Sequence, residues 1–305
     1  MTGYLIKRLV ELMVALLIMS LLVFSLARLT GDPVALLLSD YATEEERTTL
    51  TQQLGLDKPL TEQYVIFITA ALQGDFGNSI SGNQQPAMEL VLERLPASLM
   101  LASAAMIISL LAGVPMGVIA AARRGSKTDI LIRVFTLLGQ SIPVFWLGMV
   151  FIYFFSVQLG WLPTSGYGSL VHLILPATSM ALFTIAAITR LTRVSMIDAL
   201  SSEYIKLARI KGLPERVIIW KHALRNSLIP LVTYMGTFFA MMITGAVVVE
   251  TVFSWPGIGR LAYQSILDRD FPVMQAVVLT TTVLFMLANF AVDLVYVWID
   301  PRIER

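Results

Sequence analysis

Few residues in this chain can carry chemistry, and their placement excludes most of it. The sequence holds two histidines, His172 and His222, and no cysteine. Thiolate nucleophiles, disulfide frameworks and thiolate metal sites are therefore out, and cysteine usage leaves the redox compartment undecided. Gly139-Gln140-Ser141 offers a serine, but a serine nucleophile needs a base within hydrogen-bond reach. The charge pattern described below puts the two histidines on opposite faces of a membrane. No Gly-x-x-x-x-Gly-Lys-Ser/Thr stretch is present, so the chain lacks the loop that cradles nucleotide phosphates. Asp293 is the one acid deep in an apolar run, with Asn289 one turn earlier. A charge buried in lipid is costly, so Asp293 must face protein or water. A structural hydrogen bond to a neighbouring helix is expected there rather than a proton or ion relay.

What remains is a basic segment from Arg190 to Pro230. Between Arg190 and Asn226 it carries eight Lys/Arg against three acids, Asp198, Glu203 and Glu215. Ser202 is placed to cap a helix, Leu207 and Ile210 fall at helical spacing, and Gly212 suits a left-handed stop. A short basic helix ended by glycine is thus expected between apolar spans. The positive-inside rule explains the sign of its charge. It does not explain a defined helix, which looks like something another protein grips.

The elements around this segment are membrane elements. Of 305 residues, 56% are hydrophobic and 14% charged, against about 25% charged in soluble domains. A net charge of +1 gives no reason to expect a nucleic-acid partner. Six apolar spans are expected, at 9–27, 98–122, 134–157, 173–188, 228–249 and 273–298. The fourth is the shortest, with Pro176 near its start. The first exceeds the ~7–15 apolar residues of a signal peptide and more spans follow it, so it reads as an uncleaved helix.

Residues 30–96 form the largest polar excursion. Thr43 with Glu46 makes a capping box opening a helix that Gly55 closes. Thr61 can start a second helix, and Pro86 sits well as the first residue of a third. Amphipathic helices packed on the outer membrane edge are expected here rather than a soluble domain, because few apolar residues remain to build a core. The organisation expected is a first span with its external segment (1–97), a five-helix core containing the basic loop at 190–227 (98–298), and a cytoplasmic tail (299–305).

Charge sets the orientation. Six spans put both termini on one side, and sixteen of the 22 Lys/Arg then lie on that side, against six on the other. Both termini are expected in the cytoplasm. The outer loop 250–272 combines Phe253, Trp255, Pro256, Gly257 and Arg260. Phe253 and Trp255 suit an interfacial aromatic belt; the alternative is a re-entrant or docking segment facing an external partner. Ser141, Thr178, Thr237 and Thr244, with Ser179, Thr184 and Thr233, suit the wall of a polar path, although small residues serve helix packing as well. Pro115, Pro143 and Pro176 are expected to kink helices.

The chain resembles, end to end, the membrane permease subunits of the dipeptide/oligopeptide/nickel class of ATP-binding-cassette importers, the first of the two paired permeases. The residues that carry the resemblance include Lys7-Arg8, Gly31-Asp32-Pro33, Leu54 through Leu60, Gly74-Asp75-Phe76-Gly77, Leu95-Pro96-Ala97-Ser98, Ser141 through Trp146, Gly160-Trp161-Leu162-Pro163, Ile174-Leu175-Pro176, Glu250 through Arg260 and Asp300-Pro301-Arg302. The resemblance implies an all-α integral membrane protein with six transmembrane helices, the type I importer permease fold, in a bacterial cytoplasmic (inner) membrane. It implies that the 201–230 loop docks on a cytoplasmic ATPase through Glu203, Tyr204, Leu207, Ala208, Arg209, Lys211 and Gly212. Glu203, Arg209 and Lys211 would meet complementary charges, and Tyr204, Leu207 and Ile210 would fill a groove. The general Glu-Ala-Ala…Gly signature is matched here only at Ala208 and Gly212, and the interval to Pro230 is longer than usual. The peptide/nickel class shares both departures.

The partners implied are a second permease, two ATPase subunits that bind ATP and Mg, an extracytoplasmic substrate-binding protein, and membrane lipid; no cofactor is implied for this chain. Binding-protein docking would fall on Phe253, Trp255, Pro256, Gly257 and Arg260. Di- or oligopeptides are the expected cargo, with nickel, a metal chelate or glutathione as alternatives. No histidine or cysteine cluster lies in a span to make a dedicated metal site. A self-sufficient secondary carrier would usually show internal repeats and paired intramembrane charges.

Overall fold

In a chain this apolar the backbone must satisfy itself, which in lipid leaves helices or a closed barrel. The computed structural model describes residues 2–30, 34, 43–53, 55–81 and 84–299, with backbone only at 2–6, 9, 30, 53, 229, 233 and 292–299. Among the described residues the regular structure is helical, apart from one isolated antiparallel bridge between Asn78 and Pro86. All of the expected tail 299–305 beyond the backbone of residue 299, the side chain of Asp293 and that of Thr233 lie outside what is described, as do Gly31-Asp32-Pro33 and Asp300-Pro301-Arg302.

In chain order the helices are α1 (Thr2–Thr30), α2 (Glu44–Gln53), α3 (Leu60–Leu72), α4 (Ala87–Ala122), α5 (Lys127–Ser141), α6 (Val144–Phe151), α7 (Leu170–Ser201), α8 (Glu203–Ile210), α9 (Glu215–Val217), α10 (Leu224–Gly245), α11 (Val247–Val252), α12 (Ile258–Leu267) and α13 (Phe271–Ile299). Wide π-helical turns extend α6 over Ile152–Gln158 and join α9 to α10 over Ile218–Ala223. Among the described residues four helices are long and apolar enough to cross a membrane unbroken, with spans at Val10–Leu29, Ala87–Ala122, Leu170–Ser201 and Phe271–Ala291. Two bent pairs, Lys127–Ser141 with Val144–Gln158 and Glu215–Leu228 with Pro230–Gly245, bring the total to the six expected. The first pair bends by 100°, at Ile142-Pro143. Proline has no N–H to continue the ladder and holds the preceding residue extended; Ile142 has φ −85° and ψ 124°.

Two boundaries differ from expectation. No separate third helix follows Pro86: α4 runs for 36 residues through both Pro96 and Pro115. The fourth span does not stop at Ile188 either. Helix α7 continues through Arg190 and Arg193 to Ser201, so the loop begins at Ser202. A switch from apolar to basic residues resembles a helix end in sequence, but an arginine that finds a buried partner needs no loop.

The described residues form two compact units. The first comprises Met1–Pro96 with Gly257–Met286, the second Ala97–Pro256 with Leu287–Arg305. In the first, the capping box of α2 is complete. The Thr43 N–H donates to Glu46 Oε2 at 2.8 Å, and the Glu46 N–H donates to Thr43 Oγ1 at 3.3 Å. Helix α3 lays Tyr64 and Phe67 against Phe24 of α1, with ring centroids 5.5 and 5.6 Å apart, and the Tyr64 and Ser20 hydroxyls pair at 2.8 Å. Asp270 is buried and gathers the 79–81 turn, its Oδ2 accepting from the N–H groups of Ile80 (3.1 Å) and Ser81 (3.2 Å) and from both serine hydroxyls.

In the second unit α4 and α7 cross closely at Gly113 and Gly117. A Cβ on Gly117 would stand 2.6 Å from Thr192 Cβ, and one on Gly113 would stand 2.8 Å from Ile188 Cγ2. This small-xxx-small spacing lets two backbones approach where lipid supplies no hydrophobic drive. Thr189 Oγ1 donates across the crossing to the Gly113 carbonyl at 3.2 Å.

Candidate functional site

Helix α8 is eight residues long, below the length at which an isolated helix holds itself together in water. It therefore depends on packing. Ile205 is fully buried and Ala208 nearly so, in one cluster with Val118 and Ala121 of α4, Met196 of α7, and Ile218 and Ala223 of the π-helical turn. The same spacing on the other side leaves Tyr204, Leu207 and Ile210 exposed, at 41%, 53% and 81%. One face grips the bundle and the other presents an apolar row that nothing covers among the described residues.

The ends of α8 follow from chain chemistry. Ser202 holds the extended conformation of a cap, but its hydroxyl donates back to the Ala199 carbonyl instead of accepting from α8. The expected side-chain cap is not made. At the other end Gly212 has φ +77°. Its N–H donates to the Arg209 carbonyl at 2.9 Å, and the Leu213 N–H donates to the Ala208 carbonyl at 3.3 Å. These bonds make a Schellman stop, which requires a residue comfortable at positive φ.

The charges of α8 are partly engaged within the chain. Arg209 forks onto Glu215, Nε to Oε1 at 2.7 Å and Nη2 to Oε2 at 3.4 Å, and Lys206 reaches Glu203 at 2.7 Å. The hydrogen bond from Arg209 to Glu215 pushes the guanidinium pKa further up, so it stays charged. Lys211 is exposed beside the stop.

The structure thus brings all seven expected coupling residues to one short element but divides their tasks. Glu203, Tyr204, Leu207, Arg209 and Lys211 face out, and Gly212 shapes the end. Ala208 corrects the expectation: it faces the bundle and cannot be a partner contact. Ile205, Met196 and Ile218, which anchor the element, are not among the residues the sequence singles out. The Ile205/Ala208 spacing was the available signal, obscured because the other row, Tyr204/Leu207/Ile210, is just as apolar.

The 250–272 loop requires a firmer correction. Phe253 and Trp255 are 2% and 0% exposed, so neither can sit in a lipid-facing belt or touch a binding protein. Trp255 Nε1 donates to the Ala97 carbonyl at 2.9 Å, and Tyr167 stacks edge-on to its ring at 4.9 Å. The Gly166 N–H donates to the Phe253 carbonyl at 3.1 Å. An indole buried with its N–H satisfied is a packing anchor. Close by in sequence, the buried Glu250 accepts a hydrogen bond from Ser98 Oγ. Gly257 is buried, and Pro256 and Arg260 are half-buried.

Of the path candidates, Ser141, Thr178 and Thr244 each donate to a carbonyl of their own helix, at 2.8, 2.6 and 3.2 Å, and Thr237 is exposed. A cleft of about 300 Å³ opens in the second unit between Phe145, Met180, Phe183, Phe238, Met241 and Val248. Its wall is apolar and includes Thr184 but none of those four residues.

Comparison with known proteins places this arrangement. Residues 113–305 match the family described as binding-protein-dependent transport system inner membrane component, and residues 1–102 match the N-terminal family of the same transport systems. The chain is 40% identical over 310 residues to a probable peptide ABC transporter permease protein of Sinorhizobium fredii, covering 99% of each. It is 42% identical over 305 residues to the glutathione transport system permease protein of Escherichia coli, covering 100% of this chain and 99% of that protein. Among solved structures, the MetNI methionine ABC transporter aligns with a TM-score of 0.61 at 20% identity, over 70% of this chain and 97% of that one. An amino acid ABC transporter aligns with a TM-score of 0.53 at 17% identity, over 68% and 93%. The chain belongs to the binding-protein-dependent transport system inner membrane component family, with the type I fold, and is a multi-pass permease subunit of an ABC importer.

Proposed function

We propose that this permease imports di- or oligopeptides and takes its drive through α8. The observation that carries the coupling role is the division of α8 into a face locked to the bundle by Ile205 and Ala208 and an exposed apolar row, Tyr204, Leu207 and Ile210. A helix held this way can pass a push from a cytoplasmic ATPase into α4 and α7 without undocking. The ATPase groove receives the apolar row, Glu203 and Lys211 meet its charges, and hydrolysis takes place on that partner with ATP and Mg. A second permease completes the path, two ATPase subunits drive it, and an extracytoplasmic binding protein delivers cargo. ATP binding then shifts the spans between inward- and outward-open states.

Both termini lie in the cytoplasm, supported by the sixteen-to-six division of Lys/Arg. Peptide cargo is supported by the relatives named for peptide and for glutathione, itself a small peptide.

The test is ATP-dependent uptake in proteoliposomes holding the whole assembly, supplied in turn with labelled dipeptide, glutathione and nickel. Dipeptide uptake that Leu207→Asp abolishes while the spans still insert is the expected result. Uptake by this chain alone, or uptake indifferent to Leu207→Asp, overturns the coupling role. Uptake of nickel without peptide overturns the cargo.

A further inference from the structure

The cluster that holds α8 has a charged neighbour that neither the family match nor the coupling role assigns. Asp129, in the first turn of α5, is 1% exposed and accepts a forked pair from Arg193 of α7, Nε to Oδ1 at 2.7 Å and Nη2 to Oδ2 at 2.9 Å. The Gly125 N–H adds a third bond to Oδ2 at 3.0 Å, and Arg133 stands 3.6 Å from Oδ1. Arg193 lies one turn before Met196, the α7 residue packed against Ile205 and Ala208. Gly125, at φ +81°, lies in the turn that follows Ala121 of the same cluster. Thr192, the residue before Arg193 and one turn before Met196, lies close against Gly117 of α4. Displacing α8 therefore bears directly on α7, and the ion pair ties α7 to the start of α5, adding to the packing of Gly139 of α5 against Leu182 and Ala186 of α7. At its far end α5 meets the 100° break at Ile142-Pro143.

We propose that Asp129 and Arg193 are positioning residues for energy coupling: the pair makes α5 follow α7 when α8 is moved, so that the docking motion reaches the broken span. This rests on the reading of α8 as the ATPase-docking helix. The forked geometry suits the task because two parallel bonds fix direction as well as distance, which one ammonium on a flexible stem does not. Burial of Asp129 adds to it, since a carboxylate withdrawn from water is little screened by salt. Coupling carried by a contiguous packed and hydrogen-bonded network needs such a rigid joint.

The experiment measures ATP hydrolysed per labelled dipeptide imported in proteoliposomes of the complete assembly, for Asp129→Asn, Arg193→Gln and Arg193→Lys. Leu207→Asp serves as the docking control, and the amount of assembled complex is read in parallel. The expected result is that the Asp129→Asn and Arg193→Gln assemblies keep their ATPase subunits but consume roughly tenfold more ATP per dipeptide, an ordinary size for a lost coupling energy. Arg193→Lys, which keeps the charge and loses the fork, should fall between these and the unaltered protein. A purely structural pair would lower the yield of complex and leave the ratio alone, and that result overturns the proposal. So does failure of even Arg193→Lys to assemble. If Leu207→Asp loses the ATPase subunits and uptake while the pair variants keep the unaltered ratio, the docking role stands and the link falls; if Leu207→Asp keeps both its ATPase subunits and its uptake, the docking reading itself is wrong.

Discussion

At the scale of single residues, two glycines carry opposite constraints. Gly212 has open space around it, and its importance lies only in φ +77°. Gly212→Ala puts a side chain into the left-handed region at about 1–2 kcal/mol, enough to fray an eight-residue helix. Gly212→Pro cannot adopt that φ at all, so transport-linked ATP hydrolysis should fall modestly for alanine and collapse for proline. Equal rates in both, measured on correctly inserted protein, would remove any role for the stop. Gly117 is the reverse case: its backbone is helical, but a Cβ would stand 2.7 Å from the Thr189 carbonyl oxygen as well as against Thr192. Gly117→Ala should destabilise the detergent-solubilised protein by ~1–3 kcal/mol through overpacking, seen as a lower thermal midpoint. The exposed Arg209–Glu215 and Lys206–Glu203 pairs are a different matter. Such pairs contribute about 0–1 kcal/mol, so their removal should act on partner binding and hardly on folding.

At the scale of elements, α8 shows how one short helix serves two surfaces. Ile205→Asp buries a carboxylate in the Val118/Met196/Ile218 cluster, a costly change without a partner, and should undock α8. Limited proteolysis should then cut near Lys206 or Arg209. Leu207→Asp changes only the outward row, so α8 stays protected while the ATPase subunits are lost on co-purification. Cleavage and partner loss appearing together in both variants would mean the two faces are not separate. Gly212, Leu207 and Ile210 were legible in the sequence because a left-handed glycine stop and a helical repeat are local properties. Which apolar row faces the bundle was not, because both rows repeat with the same period and the choice depends on α4, α7 and the π-helical turn.

At the scale of the whole molecule, the absence of cysteine from all 305 residues makes orientation easy to test. Ser165 and Ser201 are both exposed, one before the start of α7 and the other at its end. The 32 residues of α7 extend for about 48 Å at 1.5 Å each, more than a membrane's apolar core. With Ser165→Cys, a membrane-impermeant maleimide should label intact cells; with Ser201→Cys it should label only after permeabilisation. The opposite pattern would invert the topology and place α8 outside.

Composition, span number and the sixteen-to-six charge division were properties of the sequence itself, because partition into lipid and the positive-inside bias act on segments irrespective of their neighbours. The capping box at Thr43 and the stop at Gly212 were likewise local. Tertiary structure alone decided where α7 ends, since Arg193 is helical by virtue of Asp129, distant in sequence. It also decided the fate of Phe253 and Trp255, whose aromatic character suits a membrane interface, a docking surface or a core. Their burial against Gly148, Tyr167 and the Ala97 carbonyl selected the core. A residue's type fixes what it costs to expose or bury; only the elements that close around it fix which happens.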